Sequence, residues 1–224
     1  MPRTLRVDVG NIVYHVLNRA TARLKIFETD ADFRLFFDTL AEAKERHPIR
    51  ILAYCIMSNH WHLVLYPAED GQLVPFMQWL TMTHTHRWHA AHETIGTGHL
   101  YQGRYKSFPV QQDEHFLQLV RYVVRNPLRA KLVRRAEKWP WSSLYTRVSG
   151  TKSEKKVLDA WPMAIPKNYR DWVNAPQTVA ELDVIRTSVS RGRPLGHEVW
   201  MDSMAERLQL QSSFRKRGRP KKRS

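Results

Sequence analysis

The chain has 224 residues, 42% of them apolar, which is enough to fill one good-sized core and leave an appendage, and its formal charge is +15. Such an excess of cations points to a polyanionic partner, because neutralising phosphates releases counterions and supplies much of the affinity for nucleic acid. A single cysteine, Cys55, excludes an intramolecular disulfide framework, and the start, Met-Pro-Arg-Thr-Leu-Arg, has no long apolar run, so neither a secretory leader nor a membrane span is expected and the expected location is cytoplasmic.

Asn11 to Leu17, rich in β-branched and aromatic residues, predicts a first strand, with His15 on it. Thr29 or Asp30 caps a helix in which Phe33, Phe36, Phe37, Leu40 and Ala41 recur at helical spacing until His47-Pro48. Ile49 to Met57 reads as a second strand and His60 to Tyr66 as a third, joined by a tight turn at Ser58-Asn59. A second helix begins near Leu73, with Phe76, Met77, Leu80 and His84 on one face. It runs into His84, His86, His89 and His92, whose polar neighbours favour a solvated or phosphate-facing helix end.

Ser107 to Gln111 predicts a fourth strand, entered through Arg104-Tyr-Lys106, where charge and an aromatic ring alternate as they do where phosphates are held and bases stacked. A third helix follows from Glu114 to about Arg125, capped by Asp113. The order strand, helix, strand, strand, helix, strand gives an α+β fold: a ferredoxin-like antiparallel sheet with helices on one face, plus an added helix carrying Tyr122 and a basic C-terminal extension. Residues 1–150 are expected to form the principal domain. Residues 151–190, broken by Pro162, Pro166 and Pro176, are expected to be a partly ordered arm, and 191–224 a basic extension with a short helix. In that extension Arg-Gly-Arg-Pro occurs twice. The second copy, with Arg217 and Arg219, resembles an AT-hook core that enters the minor groove of A·T-rich DNA, and an unstructured phosphate-binding tail is the equal alternative.

Chemistry concentrates at His60-Trp61-His62. On a strand alternate side chains share a face, so the two imidazoles point the same way, roughly 7 Å apart at Cα, and could hold one metal ion whose coordination sphere stays largely open. Two positions offer what is missing. Tyr122 and Asn126 are four apart and line up if Asn126 still belongs to the last turn of the third helix, which Pro127 disfavours.

His60-Trp61-His62, Gln102-Gly-Arg-Tyr-Lys106, Tyr122-Val-Val-Arg-Asn-Pro-Leu-Arg-Ala130 and Trp139-Pro-Trp-Ser-Ser143, in this order over residues 10 to 147, resemble the HUH single-tyrosine transposases, specifically the REP-associated tyrosine transposases. The resemblance implies that His60, His62 and Asn126 bind a divalent ion, Mg or Mn, and that Tyr122 is the nucleophile. It implies cleavage and rejoining of single-stranded DNA at REP-type hairpins through a 5′-phosphotyrosine, by a monomer or homodimer. Arg104, Lys106, Arg125 and Arg129 are candidate backbone contacts, joined by Arg217 and Arg219 in the tail. One departure is Lys131, where the family commonly has glycine, which bears on the turn there. Other functions for the same residues are a non-catalytic hairpin-binding protein and a metal-dependent hydrolase in which water attacks.

Overall fold

In the computed structural model, residues 7–215 are described; Arg217 and Arg219 lie outside them. Four strands, β1 (Val13–Arg19), β2 (Arg50–Met57), β3 (His60–Tyr66) and β4 (Lys106–Val110), form one antiparallel sheet in the order β2-β3-β1-β4. Helices α1 (Asp30–Arg46) and α2 (Leu73–Ala91) connect β1 to β2 and β3 to β4, so the ferredoxin-like arrangement expected from the element order is present. Thr29 and Asp32 begin α1 with a reciprocal capping box, which satisfies backbone donors that the first turn leaves unpaired.

Strand alternation divides the core between the two faces. Tyr14, Val16, Trp61, Leu63 and Leu65 face α1 and α2, meeting Phe36, Leu40, Phe76 and Leu80. Val13, Cys55 and Val64 face the other way, toward α3 (Glu114–Val124), which contributes Phe116, Leu119, Val120, Val123 and Val124. The helix that carries Tyr122 therefore covers the face opposite α1 and α2. A bulge between Ile51 and Ala53 rephases β2, so that Leu52 and Ala53 both belong to the α3-side core while Ile51 and Tyr54 belong to the other.

Beyond α3 come α4 (Asn126–Arg129), α5 (Ser143–Ser149), α6 (Lys152–Lys155), α7 (Tyr169–Asn174), α8 (Val179–Arg191) and α9 (Glu198–Arg207). Residues 151–190, read from the sequence as an arm broken by prolines, place Trp161, Tyr169, Val173 and Ile185 in the α3-side core. Arg121, almost fully buried, ties this segment to α3. It donates to the carbonyls of Ala175 at 2.9 Å and Pro176 at 3.0 Å, pairs with Glu181 at 3.2 Å and lies over the Trp172 ring at 4.6 Å.

Segments between residues 139 and 195 cover both edges of the sheet. Along β2, the Ile56 amide donates to the Trp141 carbonyl, the Asp159 amide to Ile51, and the Trp139 and Trp161 indoles to the carbonyls of Ile56 and Leu52. Along β4, Leu195 pairs parallel to Val110, its amide donating to the Pro109 carbonyl. Unpaired strand edges invite intermolecular pairing, and here both are occupied. Among the described residues no helix is long and apolar enough to cross a membrane.

Candidate active site

On β3, His60 and His62 face α3 while Trp61, fully buried, faces the opposite core. Their rings lie 5.0 Å apart at 82°. Each has its Nδ1 engaged: His60 with the Asn59 side-chain oxygen at 2.7 Å, His62 with His15 Nε2 at 2.9 Å. The two Nε2 atoms have no hydrogen-bond partner among the described residues. His15, opposite Val64 and Phe108 in the sheet, is completely buried and stacks on His62 with centroids 5.0 Å apart. Burial pushes His15 down to about 3 and His60 down to about 4, the latter helped by the charges of Arg19 and Arg129. His62 is held well below the usual imidazole range by burial first, then by His60, His15 and the same two arginines. All three imidazoles are neutral at pH 7.

Tyr122 sits two residues before the end of α3, 8% exposed, its ring edge-on to His62 at 6.1 Å between centroids. The Arg129 guanidinium lies over the face of that ring, 4.3 Å from its centroid, and donates from Nη2 to the Asn126 side-chain oxygen at 2.7 Å. His60, His62, Tyr122, Arg129 and Asn126 thus form one continuous chain of contacts. The amide Nδ2 of Asn126 and Nη1 of Arg129 are buried without hydrogen-bond partners among the described residues.

Pro127 acts differently from the sequence expectation. Asn126 does not belong to the last turn of α3, which stops at Val124; Arg125, at φ −84° and ψ −4°, is a junction, and Asn126 opens α4. At the start of a helix a proline loses no intrahelical bond and its ring fixes a helical φ, so it begins the new turn that carries Asn126 and Arg129 together. That turn ends at Lys131 with φ 59°, the left-handed region that favours glycine, so the lysine occupies a glycine-like geometry.

The cations separate into groups. Arg104 and Lys106 are exposed at the entry to β4. They line a cavity of about 230 Å³ with Leu17, Arg19, Gln102 and Val189. Arg19 pairs in the sheet with His60, and its position was not singled out in the sequence, where one more arginine after a strand carries no signal. Arg125 is half-buried and reaches the Asn174 carbonyl at 3.4 Å, toward α7. Tyr105 is buried in the α1/α2-side core, because its neighbours Arg104 and Lys106 take the outward positions, so it offers no base-stacking surface.

The histidine-rich end of α2 requires a correction. His84 is fully buried, with burial pushing it down to about 3, and its Nδ1 is hydrogen-bonded at 2.8 Å to the Tyr101 hydroxyl, which accepts from the Trp61 indole at 2.9 Å. It shares a helix face with Phe76, Met77 and Leu80, and that apolar face outweighs the polar flanks. His86 is exposed, His89 bonds Thr94 and His92 bonds Asp32. Among the described residues, one group of histidine and carboxylate donors is close enough to hold a metal ion: Asp113, Glu114, His115 and His197, at the other end of α3.

Comparison with known proteins gives the following. The family described as transposase, IS200-like, matches residues 8–126. The structure of a REP-associated tyrosine transposase bound to a REP hairpin is similar over 80% of this chain and 99% of that one, at 15% identity and a TM-score of 0.55. A candidate transposase from Deinococcus radiodurans R1 is 19% identical over 56% of this chain and 97% of that one, with a TM-score of 0.41. The tRNA(His) guanylyltransferase of Saccharomyces cerevisiae is 10% identical over 81% and 96%, with a TM-score of 0.41. No curated protein matches significantly.

Proposed function

This chain belongs to the IS200-like transposase family, and from that premise we propose that it cleaves and rejoins single-stranded DNA at REP-type hairpins, with Tyr122 as nucleophile. The observation that carries the reading is the placement of the Tyr122 ring against His62, with Arg129 joining it to Asn126. The solved relative of the same fold was bound to a REP hairpin, which favours that substrate class.

The residues suit a divalent ion. Two neutral imidazoles, each with Nδ1 occupied and Nε2 without a partner, are in the form in which histidine ligates, and a carbonyl oxygen that already accepts one bond keeps a second lone pair. His60, His62 and the Asn126 oxygen would hold it. When bound, a Mg or Mn ion supplies positive charge to a non-bridging phosphate oxygen as negative charge develops there. Imidazole ligands favour Mn over Mg.

The chain's own groups do the rest. A free phenol, with an unperturbed pKa of about 10, is protonated at neutral pH and attacks only when aligned and as its proton leaves. Arg129 fixes the ring from one face and offers positive charge there. The Tyr122 oxygen then forms a bond to phosphorus, the bond from phosphorus to the 3′ oxygen breaks, and that oxygen takes up a proton. Attack by a 3′ hydroxyl on the phosphotyrosine reverses the step without hydrolysis. Arg104, Lys106 and Arg19, around the cavity beside β4, would hold the DNA backbone; Arg125 and the tail residues Arg217 and Arg219 would add non-specific charge.

The reading is tested by incubating the protein with labelled REP-type hairpin oligonucleotides, with and without Mn²⁺. On a denaturing gel, label is expected to migrate with denatured protein only when the ion is present. Hairpin binding with no cleavage would favour a binding module, and cleavage without covalent label would favour attack by water.

His15 is a positioning residue in this scheme, since among the described residues it is the hydrogen-bond partner of His62 Nδ1 and so orients the ring. Partners of this kind typically contribute 10–100-fold to metal affinity. His15→Phe is expected to weaken Mn²⁺ binding by about that factor, read by calorimetry on DNA-free protein.

A further inference from the structure

The Asp113, Glu114, His115 and His197 cluster has no part in the chemistry above. Tyr122 is nine positions after Asp113, which on a helix is roughly 13 Å along the axis, so the cluster lies at the far end of α3 from the tyrosine. We infer that it is a second metal site, for a zinc-type divalent cation, which clamps the C-terminal segment to the helix that carries Tyr122.

The donor atoms are already convergent. One from each of the four residues lies within 4.8 Å of every other. His115 Nδ1 is 2.9 Å from Asp113 Oδ1, His197 Nε2 is 2.9 Å from Glu114 Oε1 and 3.5 Å from Asp113 Oδ2, and the two imidazole rings are 4.7 Å apart at 87°. Two histidines and two carboxylates in this space match the nitrogen and oxygen donor set and the coordination number of zinc, whose bonds of about 2.0–2.2 Å put tetrahedral ligand atoms about 3.3–3.6 Å apart, within the range these donors span. Asp113 Oδ2 is a buried oxygen with no hydrogen-bond partner among the described residues, 3.5 Å from His197 Nε2. The positive end of α3 opposes a cation there, but Asp113 Oδ1 already accepts from the His115 amide, and two carboxylates outweigh a half charge.

His197 is brought there from 82 positions further along the chain than His115, and its arrival is built rather than incidental. Leu195 is hydrogen-bonded to β4, and the His197 amide donates to the Gln111 side-chain oxygen at 2.9 Å. Gly196 packs so closely that an added Cβ would stand 2.5 Å from both Gln111 and Trp200. The chain is held on both sides of the step that presents this imidazole. Zinc at the cluster would cross-link the start of α9 to the start of α3, the helix that carries Tyr122.

The test is a Zn²⁺ titration of the full chain, stripped of metal, in competition with a chromophoric chelator, with Co²⁺ substitution to read tetrahedral coordination in the visible spectrum. Three variants are compared with the wild type: His197→Gln, Glu114→Gln, and His60→Gln with His62→Gln. Both single substitutions fall on exposed side chains, and far-UV circular dichroism verifies the fold. His197→Gln is expected to remove one equivalent of tight Zn²⁺ and the tetrahedral Co²⁺ bands, and Glu114→Gln to weaken that equivalent at least tenfold. The paired substitution in β3 is expected to keep it. A His197→Gln protein that titrates as the wild type does, or a paired variant that binds no Zn²⁺, would overturn the assignment. Neither result bears on whether Tyr122 cleaves DNA.

Discussion

Tyr122→Phe is expected to abolish covalent capture of hairpin DNA and strand cleavage together, by a factor on the order of 10⁴ or more, while hairpin affinity changes less than about threefold. The substitution removes one oxygen and leaves the ring, so the edge-on contact with His62 and the Arg129 cation over its face both persist. The cations proposed to hold the backbone are untouched. What disappears is the atom that would form the bond to phosphorus, and among the described residues the side chains against the ring do not replace it: Arg129 carries only donors, and His62, with Nδ1 engaged by His15, would have its Nε2 on the metal ion. Cleavage rates and covalent yield on a denaturing gel, set beside binding by fluorescence anisotropy, separate the two effects. Cleavage by the phenylalanine protein at the wild-type rate would end the nucleophile assignment.

The second large effect is acid sensitivity. His15, His60, His62 and His84 are buried neutral, with His60 down to about 4 and His15 and His84 down to about 3. In the unfolded chain each titrates near 6.5, so the unfolded state takes up protons first as the pH falls. Stability from these four is therefore complete above about 6.5, and is lost progressively between there and the folded values. At about 1.4 kcal/mol per pH unit for each histidine, the loss by pH 5 is on the order of several kcal/mol, a large part of the stability of an ordinary domain. The metal-stripped protein is expected to unfold near pH 5, with the urea midpoint falling steeply from pH 6.5 downward. His84→Leu removes one proton from the count and should flatten that slope by about a quarter. A midpoint that stays constant from pH 7.5 to 5 would show that these imidazoles are protonated in the folded state.

The part of this molecule legible from sequence is the part governed by local periodicity. The His60–Tyr66 strand, the β1-α1-β2-β3-α2-β4 order and the Thr29 and Asp113 caps follow from alternation, helical spacing and side-chain oxygens before helices. The spacing of His60 and His62 shows that they share a face, but only the register of β1 against β3 brings His15 to His62, across 47 residues. Arg129 illustrates a different limit. An arginine after a helix is by default a solvent-facing cation, and its actual position over Tyr122 depends on Pro127 starting a new turn. The prolines of 151–190 read as breaks, and they are; yet the segments between them carry Trp161, Tyr169 and Ile185, whose burial requires a partner surface on α3 that no local pattern reveals.

The covering of both sheet edges sets the order in which the molecule can be made. β1 to β4 are complete once residue 110 has been synthesised, but the β2 edge waits for Trp141 and Asp159, and the β4 edge waits for Leu195. Contacts so distant along the chain close slowly, and until they close, a nascent sheet presents two bare edges. A ribosome adding about 5–20 residues per second leaves the β4 edge open for several seconds. Residues 1–110 hold 12 Lys and Arg against 10 Asp and Glu, so the part that forms the sheet has little net charge to keep copies apart during that interval, and folding yield should fall as the concentration of nascent chains rises.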